Sequence, residues 1–386
     1  MDDYRDEALA VLTLTLCKGV SSGTVYTLME HFGSARAALA ASLEDLQQVD
    51  GIGPTTADAI RRGPGEMKLA RELDLMERHK TRLVPFFSED YPPPLKSLDR
   101  DAPACLRMKG DYRPGDRLAV AVVGSRRCST YGREQASRLA CDLAAMGFTV
   151  VSGMASGIDT AAHRGALLAK GRTLAVLGCG LGYELPPESM ALAAAVLESG
   201  ALLSELPMET PPRPGNFPPR NRLVSGLSLG VVVVEASTQS GSLITARLAG
   251  EQGRAVFAVP GPVDRPTSRG CHQLIRDGAV LVEDARDVAE GLGPLSEPLV
   301  LLPREGEQAD AGARAEVDAQ LLTDARVMAL NERERRIYEM VDNSPLHIDE
   351  VVSRTQLAPS IVSSTLLTLE IRGLIRQMAG NRYVKP

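Results

Sequence analysis

The sequence contains no tryptophan, and aromatic residues make up only 4% of its 386 positions. A protein that stacks successive bases on a sheet of rings needs more of them, so any stacking must rest on one or two rings. No apolar run approaches the roughly 18 residues of a membrane helix. The acidic start, Met1-Asp2-Asp3, also differs from the basic start of a signal peptide. We therefore expect a cytoplasmic protein without a membrane segment.

Cysteine and histidine are scarce and scattered. The six cysteines form no CxxC pair, and the five histidines form no HxH or HxxxH pair. The one GxSxG string, at 226–230, precedes an apolar strand run instead of following one, so it is not a nucleophile elbow, and no Walker loop occurs. We therefore predict no metal, no cofactor, no disulfide framework and no catalytic set, and a reducing cytoplasm suits the thiols.

The charge is unevenly distributed. The 43 basic and 49 acidic residues give a net charge of -6, which argues against a polycation that coats duplex DNA. Between Arg213 and Arg276, however, eight arginines stand against three acidic residues. A local basic site is therefore compatible with the acidic whole.

Composition and periodicity divide the chain into five parts. Helical spacing of apolar residues marks the front, proline marks the second part, and a stretch of Pro, Gly, Ala and acids without periodicity marks the fourth. The parts are a helical domain (1–80), a proline-rich connector with a short strand or two (81–116), an α/β domain (117–290), a flexible linker (291–325) and a winged helix (326–386).

Seven short apolar runs alternate with helical patterns in the α/β part. Continuous runs such as Val231–Val234 are typical of strands covered on both faces, so the pattern predicts a doubly wound parallel sheet with helices on each side. The runs are 118–123, 148–152, 173–178, 201–205, 230–235, 255–259 and 280–283.

Two of these strands end in glycine turns that lead into helices. Gly124-Ser125-Arg126 either binds an anion or forms a tight turn with its arginine in solvent. The segment 152–159 has small residues at 153, 155 and 157, and we expect Asp159 to cap the following helix. Because the carboxyl ends of parallel strands share one edge of a sheet, both turns point to one site.

A third motif, RPGNFPPRNR at 213–222, combines arginines and asparagines with one phenylalanine. Its prolines predict an extended loop that offers phosphate contacts, base-edge hydrogen bonds and one stacking ring, Phe217. A solvated loop with ordinary arginines is the weaker alternative. A fourth motif, Ser240-Gly241-Ser242, either binds a phosphate or caps its own helix, and the sequence leaves both open.

Together these motifs resemble the DNA-processing protein A (DprA, or Smf) family. The resemblance runs in order over about 117–283, and the helical front and winged-helix tail are similar to the longer family members. The segments that carry it are 124–126, 152–159, 217–222 with 226–228, 240–246 and 259–261.

The resemblance implies an extended Rossmann-like fold that binds single-stranded DNA, forms a homodimer through that domain, and is not an enzyme. It further implies protection of incoming DNA and loading of the RecA recombinase during natural transformation and recombination. The expected DNA-binding residues are Gly124, Ser125, Arg126, Gly153, Ser156, Gly157, Arg213, Asn216, Phe217, Arg220, Asn221 and Arg222.

The roles of the two end domains stay open between DNA and protein contact. The segment Val49–Ala57 resembles a helix-hairpin-helix, as in a SAM-like domain, but 1–80 holds nine basic and 13 acidic residues. In the tail we predict helices at 332–341, from 347 and at 359–372, then a hairpin over 374–384. The third of these helices has only one basic residue, Arg372.

Two other function classes remain as alternatives. The first is a Rossmann enzyme that binds nucleotides or hydrolyses nucleoside monophosphates, which uses a glutamate in a PGGxGTxxE element. Here the comparable segment, 237–242, lacks that residue, and Glu235 is the only nearby candidate. The second is a duplex-reading regulator, which would leave the glycine and arginine motifs of the centre without a purpose.

Overall fold

The computed structural model describes residues 2–293, 332–341, 346–355, 357, 361–363, 365–366, 369, 375–378 and 382–385. The chain divides into two compact units, Met1–Leu301 and Leu302–Pro386. Nearly all of the predicted linker, 291–325, lies outside the described residues. No helix in the described ranges is long and apolar enough to cross a bilayer.

Six helices form the N-terminal part, and polar caps fix where several begin. The hydroxyls of Ser21, Ser34 and Ser42 each accept a hydrogen bond from a backbone N–H of the helix that follows, which would otherwise lack a partner. Gly53 precedes Pro54 at the start of the fifth helix. The helices are α1 Asp2–Leu16, α2 Ser22–Phe32, α3 Ala35–Ala40, α4 Leu43–Gln47, α5 Pro54–Arg62 and α6 Glu66–Arg78.

The rest of the first unit contains nine strands and eight helices among its described residues. The strands are β1 Arg82–Pro85, β2 Cys105–Gly110, β3 Ala119–Val123, β4 Thr149–Ser152, β5 Thr173–Val176, β6 Ala201–Ser204, β7 Gly230–Val233, β8 Ala255–Ala258 and β9 Val280–Leu281. The helices are α7 Pro93–Lys96, α8 Thr130–Ala145, α9 Ile158–Leu168, α10 Pro187–Ser199, α11 Phe217–Gly226, α12 Gly241–Glu251, α13 Arg269–Arg276 and α14 Ala285–Leu292.

One sheet unites the nine strands in the order β1-β2-β6-β5-β4-β3-β7-β8-β9. The strands from β3 to β9 pair in parallel, as the seven apolar runs predict. Alternate residues face opposite cores: Ala121 and Val123 pack with α11 and α12, whereas Val120 and Val122 pack with α8 and α9. The predicted doubly wound α/β fold is confirmed.

The winding reverses at β3. From there the chain proceeds through β4, β5 and β6 on one side, and then returns to β7, β8 and β9 on the other. Sheets of this kind leave a crevice at the carboxyl ends of the strands where the direction reverses, and ligands bind there.

The proline-rich segment 81–116 does more than connect, because it adds two strands to the sheet: β2 pairs antiparallel with β6, and β1 pairs antiparallel with β2. On β2 the buried Arg107 donates from Nε to Glu72 Oε1 of α6 at 2.8 Å, and Glu72 Oε2 accepts the Met208 N–H at 2.9 Å. Removing one partner of such a buried pair typically costs about 3–5 kcal/mol. This pair therefore fixes the N-terminal helices to the sheet.

The second unit has the predicted winged helix. It contains α15 Glu332–Met340, α16 Ile348–Thr355 and the strands β10 Leu346–His347, β11 Arg376–Met378 and β12 Arg382–Val384, in the sheet order β10-β12-β11. Residues 361–363, 365, 366 and 369 are also helical, within the predicted 359–372. Ile337, Val351, Leu366 and Tyr383 share its core.

Candidate functional site

A pocket of about 620 Å³ opens at the carboxyl ends of β3, β4 and β7, where the winding reverses. The turns after these strands and the first turns of α11 and α12 supply most of its wall. Seven of the twelve expected DNA-binding residues line this arginine pocket: Gly124, Ser125, Arg126, Gly153, Phe217, Arg220 and Asn221.

The turn after β3 packs tightly against its neighbours. A Cβ at Gly124 would lie 2.6 Å from Ile158 Cγ1, so the position has no room for a side chain. The next N–H, of Ser125, donates to the Glu235 carbonyl oxygen at 2.7 Å. The exposed side chains that this turn presents to the pocket are those of Arg126 and Arg127.

The turn after β4 interlocks with the first one. Gly157 has a φ of 85°, and a Cβ there would collide with the carbonyl oxygens of Ser125 and Arg126. The Ile158 N–H donates to the same Ser125 oxygen at 3.2 Å. Gly157 therefore shapes the site without lining it, and the exposed Ser156 does not line it either.

The buried carboxyl group of Asp159 lines the arginine pocket. The prediction that it caps the helix is wrong, because Gly157 is the N-cap of α9 and Asp159 is its second residue. The carboxylate instead accepts the Ala155 N–H at 3.3 Å. Burial raises the pKa of Asp159, an effect that the charge of Arg220 opposes.

The segment predicted as an extended loop is mostly helical. A 3-10 turn covers Pro214–Asn216, and α11 begins at Phe217. Proline is compatible with the first turn of a helix, because the N–H groups there have no partners within the helix. Positions 217, 221 and 224 thus fall on one face of α11 and reach the pocket together.

The single ring of the pocket is already paired with a cation. The Arg126 guanidinium carbon lies 4.3 Å from the Phe217 ring centroid, and that of Arg220 lies 5.8 Å away. A Cβ at Gly178 would lie 2.8 Å from the same ring. The ring is therefore packed in place and half-buried, not the freely exposed ring that the sequence indicates.

Arg220 is 7% exposed and serves the scaffold. Its Nη1 donates to the Gly153 carbonyl oxygen at 2.5 Å and to that of Val176, which joins the ends of β4 and β5. A Cβ at Gly153 would lie 2.6 Å from Nη2, so the glycine makes room for the guanidinium. Its burial lowers the pKa of Arg220, which the charge of Asp159 partly offsets.

Besides Ser156 and Gly157, three more expected residues lie outside the arginine pocket. Arg213 is exposed. Asn216 Nδ2 donates to the carbonyl oxygens of Gly178 and Pro211, at 3.2 and 3.1 Å. Arg222 does not line the pocket, and its Nη2 donates to both carboxylate oxygens of Glu205, each at 2.8 Å.

Several lining residues escaped the sequence-based selection. The fourth motif indicated some of them: Ser240 caps α12 by accepting the Ser242 N–H at 3.4 Å, and it also lines the pocket, so both alternatives for this motif remain compatible. Arg127 directly follows Gly124-Ser125-Arg126, and this adjacency is a signal in the sequence for its place at the pocket. The additional residues are Val123, Arg127, Ala155, Asp159, Val224, Ser237, Ser240, Gly241, Ser242, Thr245 and Thr267.

The glutamate considered for hydrolysis is committed elsewhere. Glu235 is 4% exposed and accepts the Ser129 N–H at 3.1 Å and the Ser129 hydroxyl at 2.6 Å, at the start of α8. It does not line the arginine pocket. Across the described ranges, no three His, Cys, Asp or Glu side chains group closely enough to hold a metal ion.

A neutral histidine lies next to this region. His163 on α9 is fully buried, and its Nδ1 is 2.7 Å from the Thr173 hydroxyl. Burial, reinforced by the charge of Arg220, lowers the pKa of His163 to about 3. The ring is therefore uncharged at neutral pH.

Three family models match the chain. DNA recombination-mediator protein A matches residues 82–293, the DprA winged helix domain matches 323–381, and the helix-hairpin-helix motif matches 34–62. The first of these covers more than half of the chain, including both antiparallel strands of the proline-rich segment.

Individual relatives agree with these matches. Protein Smf of Synechocystis sp. is 33% identical over 389 residues, which cover 95% of this chain and 96% of that protein. Protein Smf of Escherichia coli is 49% identical over 219 residues, 56% of this chain, and the match spans only 58% of its length. The DNA processing protein DprA of Bacillus subtilis is 42% identical over 226 residues, 58% of this chain and 76% of that one.

The fold agrees as well. The X-ray structure of DNA processing protein A from Streptococcus pneumoniae superimposes with a TM-score of 0.63 at 33% identity, covering 73% of this chain and 95% of that one. Motifs, full-length relatives and fold lead to the same conclusion: this chain belongs to the DNA recombination-mediator protein A family, DprA or Smf.

Proposed function

We propose that the protein binds single-stranded DNA in the arginine pocket without altering it chemically. The observation that best supports this proposal is that Arg126, Arg127 and Phe217 line one pocket at the carboxyl edge of the sheet. The arginines would contact phosphate oxygens, and the serines at the start of α12 offer further donors. The stacked Arg126 and Phe217 would together provide one planar surface for a base.

The shape of the pocket favours a single strand over a duplex. Its wall is formed by turns on either side of the crevice, and the ring lies inside it rather than on a convex surface. A base in a duplex would have to leave its stack to reach that ring, which costs a few kcal/mol, whereas an unpaired base pays little.

Titration of labelled oligo-dT at several salt concentrations tests the proposal. We expect Arg126→Ala to weaken binding and to reduce the slope of log affinity against log salt by about 0.7, the value for one lost phosphate contact on a single strand. Arg222→Ala is the matched control, because this arginine pairs with Glu205 outside the pocket. Equal behaviour of the two variants would refute the assignment.

We also propose that the pocket binds rather than catalyses. Glu235, the only glutamate near segment 237–242, holds the start of α8, so this segment offers the pocket no carboxylate. Among the described residues, the one carboxyl group that lines the pocket, that of Asp159, accepts the Ala155 N–H. A panel of nucleotides incubated with the protein should release neither free base nor ribose phosphate. Release that Glu235→Gln abolishes would establish the enzyme instead.

The homodimer is a further part of the proposal. β9 ends the sheet, and Val280 and Leu281 on it are 43% and 45% exposed. An apolar edge strand of this kind readily pairs with another copy. Sedimentation should give a dimer for the wild type and a monomer for Leu281→Arg; a dimer that survives this change would place the interface elsewhere.

The recombinase step rests on family membership. We propose that the protein acts in the cytoplasm, protects incoming single strands and loads RecA on them during natural transformation and recombination. On strands coated with single-strand-binding protein, the chain should stimulate the ATPase of RecA, and Arg126→Ala should not. Equal stimulation by both would separate loading from the arginine pocket.

We retain the five-part division, 1–80, 81–116, 117–290, 291–325 and 326–386, as a proposal about domains. Limited proteolysis should cut first within 291–325 and leave the 81–116 segment intact, since that segment supplies two strands of the sheet. Early cleavage within 81–116 would contradict this.

A further inference from the structure

A second concave site lies far from the glycine turns in sequence. Only 14 residues of the chain are aromatic, yet five of them gather between α1, α2 and the segment that follows β1. Four of the rings form an edge-to-face series, with centroid distances of 5.5 Å from Tyr4 to Phe87, 5.4 Å from Phe87 to Phe86 and 4.8 Å from Phe86 to Tyr26. The fifth ring is that of Tyr91.

Four of these five rings, all but that of Tyr4, line a cavity of about 490 Å³, the aromatic basin. The hydroxyls of Tyr91 and Tyr26 both donate to the Pro103 carbonyl oxygen, at 2.9 Å and 3.5 Å, and Pro103 does not line the cavity. The rings therefore present hydrocarbon to the cavity. Its lining residues are Tyr26, Glu30, Phe86, Phe87, Tyr91, Lys96, Asp99, Arg100 and Ala102.

The basin is not simply part of the core. Core rings of the sheet such as Phe148 and Phe257 are 2% and 0% exposed, and Tyr91 of the basin is 1% exposed, whereas the other three lining rings, Tyr26, Phe86 and Phe87, are only half-buried. An open apolar cavity with a charged rim has the anatomy of the central pocket of a protein interface, which receives one bulky anchor side chain.

The charge of the surface around the basin indicates what kind of molecule binds there. The three segments that supply the rings, 2–7, 22–32 and 86–102, carry nine acidic and three basic residues. Arg36 and Arg82 from neighbouring elements neutralise Asp3 and Asp90. Within the lining itself Lys96 and Arg100 balance Glu30 and Asp99, so the acidic excess lies on the surface around the cavity, where it repels a DNA strand and attracts a basic polypeptide.

We propose that the aromatic basin docks a partner protein through a Lys- and Arg-rich segment that inserts one aromatic side chain. This proposal is independent of the DNA site, because the two concavities share no lining residue. Edge contacts with Phe86 and Tyr26 would hold the inserted ring, and Asp99 at the rim would face the basic residues beside it.

The absence of tryptophan permits a direct test with the full-length chain. The probe is a short Lys- and Arg-rich peptide with one central Trp, whose indole is then the only one in the mixture. We expect its emission to shift to the blue and saturate as protein is added. Phe86→Ala should weaken this binding about tenfold, and Glu30→Lys, which leaves the rings in place, about fivefold.

Oligo-dT affinity and the unfolding midpoint show whether each variant is folded, and Arg126→Ala should leave peptide binding unchanged. Three results would overturn the proposal: no blue shift at millimolar peptide, equal binding by a peptide with Ala in place of Trp or with acidic residues in place of basic ones, or unchanged binding by both Phe86→Ala and Glu30→Lys. Displacement of the peptide by oligo-dT would assign the basin to DNA instead.

Discussion

The arginine pocket and the aromatic basin differ in how they use the same two kinds of side chain. In the arginine pocket the one ring is stacked against Arg126, and within the described part of the chain neither Arg126 nor Arg127 forms an ion pair with a carboxylate. In the basin three of the four lining rings are half-buried, and the cation Arg100 is engaged by Glu30 at 2.7 Å.

This difference indicates how one protein can have one site that binds a polyanion and another that binds a polypeptide. The net charge of -6 predicts neither site. The ligand depends on which charged groups are already paired in the free protein. A guanidinium without a carboxylate partner can bind a phosphate, whereas next to a paired guanidinium the apolar surface determines which ligand binds. The predictions below test this contrast, from the largest expected effect to the smallest.

Replacing Arg220 should change the stability of the arginine pocket more than its charge. Arg220→Met leaves the carbonyl oxygens of Gly153 and Val176 without a donor and Asp159 without its nearest cation. We expect the free energy of unfolding, measured with urea, to fall by about 2–4 kcal/mol. Oligo-dT affinity should fall too, with an unchanged salt slope.

That unchanged slope distinguishes a positioning residue from one that contacts phosphate. If Arg220→Met lowers the slope as much as Arg126→Ala does, Arg220 contacts the strand directly, and its burial is an incomplete account of its role.

Replacing Arg126 should have the opposite balance of effects, a loss of DNA affinity with little change in stability. Arg126→Ala removes a charge-assisted contact and also uncovers the Phe217 ring, so oligo-dT affinity should fall about 10- to 100-fold, or about 1.4–2.8 kcal/mol. The free energy of unfolding should hardly change, since the side chain is exposed. A large loss of stability would contradict this.

Lowering the pH should reduce the free energy of unfolding through His163, the buried histidine next to the arginine pocket. The pKa of His163 is about 3 in the folded chain and about 6.5 when unfolded, so the unfolded state binds more protons between these values. Stability from this group is full above pH 6.5 and decreases as the pH falls, by about 2 kcal/mol at pH 5.

Urea unfolding of the wild type and His163→Gln at pH 7 and pH 5 measures this contribution. Asp159, whose pKa is raised, has the opposite sign, because its folded form retains the proton above the ordinary pKa of the group. Both proteins contain Asp159, so their difference isolates His163. Parallel losses in the two proteins would show that His163 is not the acid-sensitive group.

The smallest effect concerns the rim of the basin. Glu30→Gln removes one exposed ion pair with Arg100, the type of pair that is typically worth 0.2–1 kcal/mol. Binding of the basic Trp peptide, measured by its emission shift, should weaken about two- to threefold and lose part of its salt dependence. Oligo-dT binding should not respond, since the residue lies outside the arginine pocket.

Much of the fold could be predicted from the sequence, because its strands are buried on both faces and therefore appear as continuous apolar runs. The location of the arginine pocket followed from the rule that strand ends share an edge, and Gly124 and Gly153 mark it by needing close approach. These signals come from residues that are close together in the chain, so they can be recognised from the sequence alone.

The orientation of α11 could not be predicted in the same way. Prolines in the third motif are equally compatible with an extended loop and with the first turn of a helix. Once the helix forms, its 3.6-residue period sends Phe217 and Asn221 into the pocket, Arg220 beneath it and Arg222 to Glu205. The basin could not be predicted either, because Tyr26 lies at least 60 residues before the rings of Phe86, Phe87 and Tyr91, and only the folded chain brings them together.

The interlocked turns at Gly157 and Ser125 have a consequence for kinetics. Because each turn fills the space that the other would need in order to move, the walls of the arginine pocket are formed before any ligand arrives. A strand would then meet its site without a preceding rearrangement, and the observed association rate should rise linearly with protein concentration instead of reaching a plateau. How long the strand stays would be governed by the breaking of contacts, not by the opening of a lid.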